Sequence, residues 1–256
     1  MKIQFVSDLH LEFPENRSYL KVNQIIPNGD ILILAGDIVP DKYKKKVESF
    51  YKNWRGQFKY IISISGNHEY YSGEVLYAYP EYRKQLADNH FKLNNGVLII
   101  ENIRFICTTL WTQIPVYLRS FIESRINDYR YIKYSKKESD PRLLNIEDTN
   151  MFHKLSLSFL ELELSKEFKG KTVVVTHHLP SFEFLTEIDN QTDVRHYCAS
   201  DLNKLIKRYE IDYWIFGHYH KSIDTTIFGT RFLSNPLGYM DENQKNVFSS
   251  SNFIEI

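Results

Sequence analysis

Five short apolar runs, each halted by a charged, imidazole or amide side chain, limit what this chain can fold into. "IQFV" runs into Ser7, Asp8, Leu9 and His10, and "ILILA" into Gly36 and Asp37. "YIISIS" runs into Gly66, Asn67, His68 and Glu69. "TVVVT" runs into His177 and His178, and "DYWIF" into Gly217, His218, Tyr219 and His220. Runs this short, rich in Ile and Val and nearly continuous, suit strands covered on both faces. Helical candidates lie between them: "DKYKKKVESFYKNW", "GEVLYAYPEYRKQLADN", "NMFHKLSLSFLELELSKEF" and "ASDLNKLIKRYE". Pro80 must break or start a helix in the second. Ser200 or Asp201 is placed to cap the last. Strands alternating with helices argue for α/β layers.

Further segments extend this frame. "GVLII" and "IRFICTT" flank Glu101 and Asn102 and predict a β-hairpin. The tail, "KSIDTTIFGTRFLSN" and "NVFSSSNFIEI", reads as antiparallel strands joined by turns, and with the hairpin it is expected to build a second sheet. At 256 residues, 43% of them hydrophobic, the chain suits one large domain or two small ones with a sizeable core. We read residues 1–256 as one domain. The stretch from about Trp111 to Asn150 is rich in Tyr, Arg, Lys and Asp, with weak periodicity, and is expected to be an insertion over one edge, a substrate-side lid.

Bulk properties narrow the function. Lys+Arg and Asp+Glu balance at 32 each, so no global basic field holds nucleic acid. Cys107 and Cys198 have no metal or redox spacing; both read as small buried residues, and a reducing compartment is the default. The first residues go straight into a strand pattern without a signal-peptide hydrophobic region, and no run approaches a membrane span. The expectation is a cytoplasmic protein with no membrane partner.

In open α/β sheets, ligands bind outside the carboxyl ends of the strands. Here five strand ends carry Asp, His or Asn, whose oxygens and imidazole nitrogens bind divalent transition metals. Asp8 and His10 are two residues apart, as are His218 and His220, and in extended chain such residues point the same way. Each pair is therefore expected to aim at one site. Gly36, Gly66 and Gly217 each precede a candidate ligand, where glycine lets the backbone turn sharply. Singly, "DLH" or "GD" is ordinary turn chemistry. All five in chain order form a far more specific constellation.

That order, Asp-x-His, Gly-Asp, Gly-Asn-His-Glu, His and Gly-His-x-His, resembles the calcineurin-like metallophosphoesterases over residues 8–220. The resemblance implies a four-layer α-β-β-α sandwich, two mixed sheets flanked by helices, with a metal site at the carboxyl ends of strands. It implies two divalent ions, with manganese, iron or zinc foremost. One ion would be held by Asp8, His10, Asp37 and His220, the other by Asp37, Asn67, His177 and His218, with Asp37 bridging. It implies hydrolysis of a phosphate ester by a hydroxide shared between the metals, with His68 assisting the leaving group and Glu69 supporting the turn. The His-rich set favours borderline metals over magnesium.

One motif departs from the protein Ser/Thr phosphatase branch. Those enzymes extend the second motif to Gly-Asp-x-x-Asp-Arg-Gly; here the stretch is "GDIVPDK", with Pro40 in place of the second Asp and no Arg-Gly. What orients His68 is therefore open. His178 and Arg195 are candidate substrate contacts, and Arg130, Tyr131 and His153 are placed to reach a leaving group. His196 is a further candidate on a phosphate-side loop, and "SNPLGY" reads as a turn closing the last strands. The expected substrate is a small phosphorylated molecule. The alternatives are a phosphodiesterase or nuclease acting on nucleotides or nucleic acid, which steep salt dependence of binding would mark, and a non-catalytic scaffold that retains the metal site.

Overall fold

The computed structural model describes residues 1–71, 75–77, 82–135, 141–242 and 248–256. Along the chain the elements are β1 (Lys2–Val6), α1 (Pro14–Val22), β2 (Ile31–Ala35), α2 (Glu48–Gln57), β3 (Tyr60–Ile64), β4 (Val75–Tyr77), β5 (Tyr82–Ala87), β6 (His90–Asn94), β7 (Gly96–Ile100) and β8 (Ile103–Thr108). There follow α3 (Arg119–Arg125), α4 (Asp128–Tyr131), β9 (Lys133–Ser135), β10 (Arg142–Leu143), α5 (Ile146–Leu164), β11 (Lys171–Thr176), α6 (Glu187–Asn190), α7 (Arg195–Cys198), α8 (Asn203–Arg208), β12 (Tyr213–Ile215), β13 (Ile223–Ile227), β14 (Thr230–Ser234) and β15 (Phe253–Glu255).

Among the described residues two mixed six-stranded sheets form, ordered β15-β1-β2-β3-β6-β5 and β13-β14-β12-β11-β8-β7. Alternate residues of the apolar runs explain their stacking. Ile3, Phe5, Ile33 and Ile62 of the first sheet meet Phe105, Val173, Val175 and Ile215 of the second in one buried layer. The opposite faces are apolar too, as the nearly continuous runs predict. Leu32, Leu34 and Ile61 pack on Leu20 of α1 and Trp54 of α2. Val174, Trp214 and Phe232 pack with Leu160 of α5 and Leu205 of α8. Each fully buried aliphatic side chain contributes about 1.5–3 kcal/mol. The result is the expected α-β-β-α sandwich.

Three expectations change. The segment Gly73–Asn89 was a helical candidate; its described parts are β4 and β5, and Pro80 lies outside the described residues. β5 pairs antiparallel with β6, which would otherwise end its sheet with open hydrogen-bonding groups. The tail divides between the sheets: β13 and β14 form the predicted hairpin in the second, whereas β15 pairs with β1 in the first. Asn246 and Val247 of the tail lie outside the described residues. Finally, α8 starts at Asn203 without a side-chain cap; Asp201 accepts from the Asn203 N–H at 3.1 Å, while Ser200 accepts from Gln113 N–H.

The 111–150 stretch carries α3, α4, β9 and β10 and has its own apolar cluster around Trp111, Ile122, Ile132, Tyr134 and Phe152. β9 pairs with β4 and β10 in a small third sheet. Cys107 lies in the layer between the large sheets, and Cys198 is half-buried. Among the described residues no helix is long and apolar enough to cross a membrane.

Candidate metal centre

The loops after β1, β2, β3, β11 and β12 converge where the carboxyl ends of the two sheets meet. Buried Asp8, His10 and half-buried His220 place ligand atoms within 4.8 Å of one another, and Asp37, His177 and His218 do the same alongside. Asp8 and His10 thus share one group, as expected. His218 and His220 divide between the two, against their spacing alone but as the resemblance implies. Strand alternation is not what aims them. Asp8, His10, Asp37, His218 and His220 all have left-handed backbones, with φ of 52°, 45°, 54°, 71° and 48°. Non-glycine residues pay about 1–3 kcal/mol each for such conformations, which concentrate at functional sites. Gly36, at φ 90°, and Gly66 make the close approach feasible; a Cβ on Gly66 would lie 2.2 Å from Asp37 Oδ1.

The donor set fits divalent cations. His10 Nδ1 faces Glu12 Oε1 at 3.2 Å and His220 Nδ1 faces Glu242 Oε2 at 2.6 Å, so both rings carry their Nδ1 proton toward a carboxylate. Their Nε2 atoms then present lone pairs only 3.1 Å apart. These repel unless a proton or a cation lies between them. On the other side His177 Nδ1 donates to Ala35 O at 3.0 Å. Its Nε2 faces Asn67 Oδ1 at 3.1 Å and Asp37 Oδ2 at 3.3 Å. Among the described residues the ion pairs of buried Asp8 and Asp37 are with histidines, none with Lys or Arg. Buried carboxylates need a positive partner. Burial alone would lower the pKa values of His177 and His220, but Asp37 beside the first and Asp8 with Glu242 beside the second outweigh it, raising them to about 9 and about 10. Burial and the neighbouring His178 and His177 hold His218 well below the usual imidazole range.

His68 sits at the rim. Its backbone N–H donates to Asp37 Oδ1 at 2.8 Å, its Nδ1 meets Glu12 Oε1 at 2.8 Å, and its Nε2 lies 3.3 Å from the Tyr239 hydroxyl. The ring stacks on Tyr71 at 4.2 Å. Burial would lower its pKa, but Asp37 and Glu12 together raise it to about 9. Glu12 thus supplies the carboxylate that "GDIVPDK" lacks. Asp41 instead pairs with Lys44 and Lys92. Glu69 accepts from the N–H groups of Gly66, Asp37 and Ile38 at 2.7–2.9 Å and staples the β2 and β3 loops together.

His178 lines the interior wall, its ring 4.2 Å from that of His218 and its buried Nε2 without a hydrogen-bond partner among the described residues. Arg195 does not join the cluster: its guanidinium donates to Asn190 O, approaches His196 and lies over Phe182. The residue of α7 that reaches the site is Tyr197, which bonds Asn67 Nδ2 at 3.2 Å. His153 is buried against the Leu110 and Trp111 carbonyls. Arg130 and Tyr131 line a cleft of about 920 Å³ that opens beside His68 between Phe13, Tyr43, Tyr71 and Tyr239. "SNPLGY" is more than a closing turn. Asn235 O and Leu237 N bond Ser7, Gly238 N bonds Asp8 O, and the loop brings Tyr239 over His10.

Glu12, Asp128, Tyr71, Tyr197, Tyr239, Glu242 and α1 itself were not foreseen. Pro14, at the first helical position, was a usable signal for α1. Glu12, two residues past His10, extends the Asp-x-His alternation. Asp128 and Glu242 had no local signal.

A family model described as calcineurin-like phosphoesterase matches residues 1–222. An uncharacterised Acanthamoeba polyphaga mimivirus protein, L509, is 28% identical over 99% of this chain and 96% of its own length. The phosphopantetheinyl hydrolase PptH from Mycobacterium tuberculosis superposes with a TM-score of 0.67 at 15% identity, covering 99% of this chain and 95% of that one. A dimetal phosphatase from Danio rerio gives a TM-score of 0.52 at 12% identity, covering 91% and 86%. The likeness to the two solved structures concerns the fold.

Proposed function

We propose that this chain, which belongs to the calcineurin-like phosphoesterase family, is a two-metal hydrolase of phosphate esters. The observation that carries the reading is the pair of adjacent ligand groups, Asp8, His10 and His220 beside Asp37, His177 and His218, with His68 at their rim. In this reading Asp8, His10, Asp37 and His220 hold one cation, and Asp37, Asn67, His177 and His218 hold the other. Imidazole donors suit iron or zinc, and the carboxylate and amide oxygens suit manganese. Bound there, two divalent cations supply charge neutralisation of the phosphate oxygens and Lewis acidity toward water.

The protein's own groups do the rest. Glu12 fixes the His68 ring through Nδ1, which leaves Nε2 toward the cleft. Asp37 and Glu12 raise its pKa, and His68 gives its Nε2 proton to the leaving oxygen. The cleft beside it accepts the leaving group of a small phosphorylated substrate, with aromatic walls for its apolar part and Lys42 and Arg130 for a further anionic group.

The test is hydrolysis of an aryl phosphate monoester and the matching diester with added manganese, for wild type, Asp37→Asn and His68→Ala. Turnover that Asp37→Asn abolishes and His68→Ala cuts by about 10²–10⁴-fold supports the reading, and the preferred ester sets the class. Wild-type activity retained in both variants overturns the assignment.

A further inference from the structure

We propose that Asp128, delivered by the 111–150 segment, is the positioning residue that makes Asn67 competent to bind a cation. This inference rests on the two-metal reading. Asp128 is fully buried at the start of α4. Its Oδ1 accepts from Asn67 Nδ2 at 2.9 Å and from the Tyr71 hydroxyl at 2.5 Å. Asn67 Oδ1 is thereby turned toward His177 Nε2, 3.1 Å away.

The chemistry makes this a choice between two states. An asparagine amide flipped by 180° would direct its NH₂ at His177 Nε2. That flip would present donors where a cation needs an oxygen. A carboxylate is an acceptor only, so Asp128 accepts the Asn67 NH₂ and repels its oxygen. Tyr197, whose hydroxyl can donate or accept, cannot enforce that choice. Asp128 Oδ2 is buried without a hydrogen-bond partner among the described residues. The 111–150 segment is thus a structural part of the metal centre, and a lid swinging as a whole would release Asn67.

The experiment is calorimetric titration of Mn²⁺ into metal-free wild type, Asp128→Asn, and the exchange variant Asn67→Asp/Asp128→Asn, with thermal unfolding as a control for folding. Asp128→Asn keeps the volume but can donate or accept, so either Asn67 orientation becomes allowed. Its Mn²⁺ affinity is expected to fall by about 10–100-fold. The exchange variant restores both the oxygen toward the cation and the bond to position 128, and should recover most of the loss. Wild-type-like affinity in Asp128→Asn overturns the role of Asp128 alone, while no Mn²⁺ binding by wild type overturns the two-metal reading and this inference with it. Should Asp128→Asn fail to fold, hydrogen exchange of the Asn67 side-chain amide in metal-free wild type decides: slow exchange supports the clamp, and solvent-like exchange overturns it.

Discussion

At the residue scale, Glu12 ties the two sides of the chemistry together. One oxygen serves both His10, a candidate ligand, and His68, the proposed acid. Glu12→Gln should lower kcat by about 10–100-fold with little change in folding. The sign of the accompanying pH effect follows from the pKa. Burial depresses the His68 pKa, and Asp37 and Glu12 outweigh it and raise it, so the Glu12 charge favours the acid form. Removing the Glu12 charge favours loss of the proton, and the alkaline limb of the kcat profile should move to lower pH. An unmoved profile would separate Glu12 from the proton transfer. The ligand residues were legible because Asp, His and Asn at strand ends are chemically conspicuous. The carboxylates behind them were not. Glu12, Asp128 and Glu242 are three of 32 acidic residues, and only three-dimensional contact distinguishes them.

At the element scale, the strands feeding the site were readable because they are short, apolar and β-branched. "YRKQLA" was not. Its residues are good helix formers, yet they form β5, since pairing with β6 outweighs a local preference worth only tenths of a kcal/mol per residue. The 111–150 segment likewise reads as an insertion of weak periodicity, although Ile122 and Ile132 are each fully buried in its cluster. If that cluster belongs to the cooperative fold, Ile132→Ala should destabilise the whole protein by about 2–5 kcal/mol in denaturant unfolding monitored by far-UV circular dichroism. Loss of a separate, earlier transition, with the main midpoint unchanged, would instead mark the segment as an independently opening lid.

At the scale of the whole molecule, the metal centre joins the sheets. Asp8, His10, Asp37 and Asn67 come from the first, and His177, His218 and His220 from the second. The His177 ring reaches across to the Ala35 carbonyl, and the Asp8 carboxylate to the His218 N–H. Cations bound only by the native state should therefore raise Tm. At a hundredfold excess over Kd one site adds about 2.7 kcal/mol, which for a chain this size is about 5–10 °C. Differential scanning calorimetry with and without Mn²⁺ checks this, and an unshifted Tm would mean that no cation binds the native fold preferentially. By itself the amino-acid sequence determined the layered α/β class, the five strand ends and the residue types they carry, because those follow from local hydrophobic patterning and side-chain chemistry. Only the tertiary structure decided that Glu12 and Asp128 stand behind the ligands, and that Arg195 turns away. Those outcomes depend on left-handed turns and on contacts between segments up to 210 residues apart, as from His10 to His220, which no local pattern encodes.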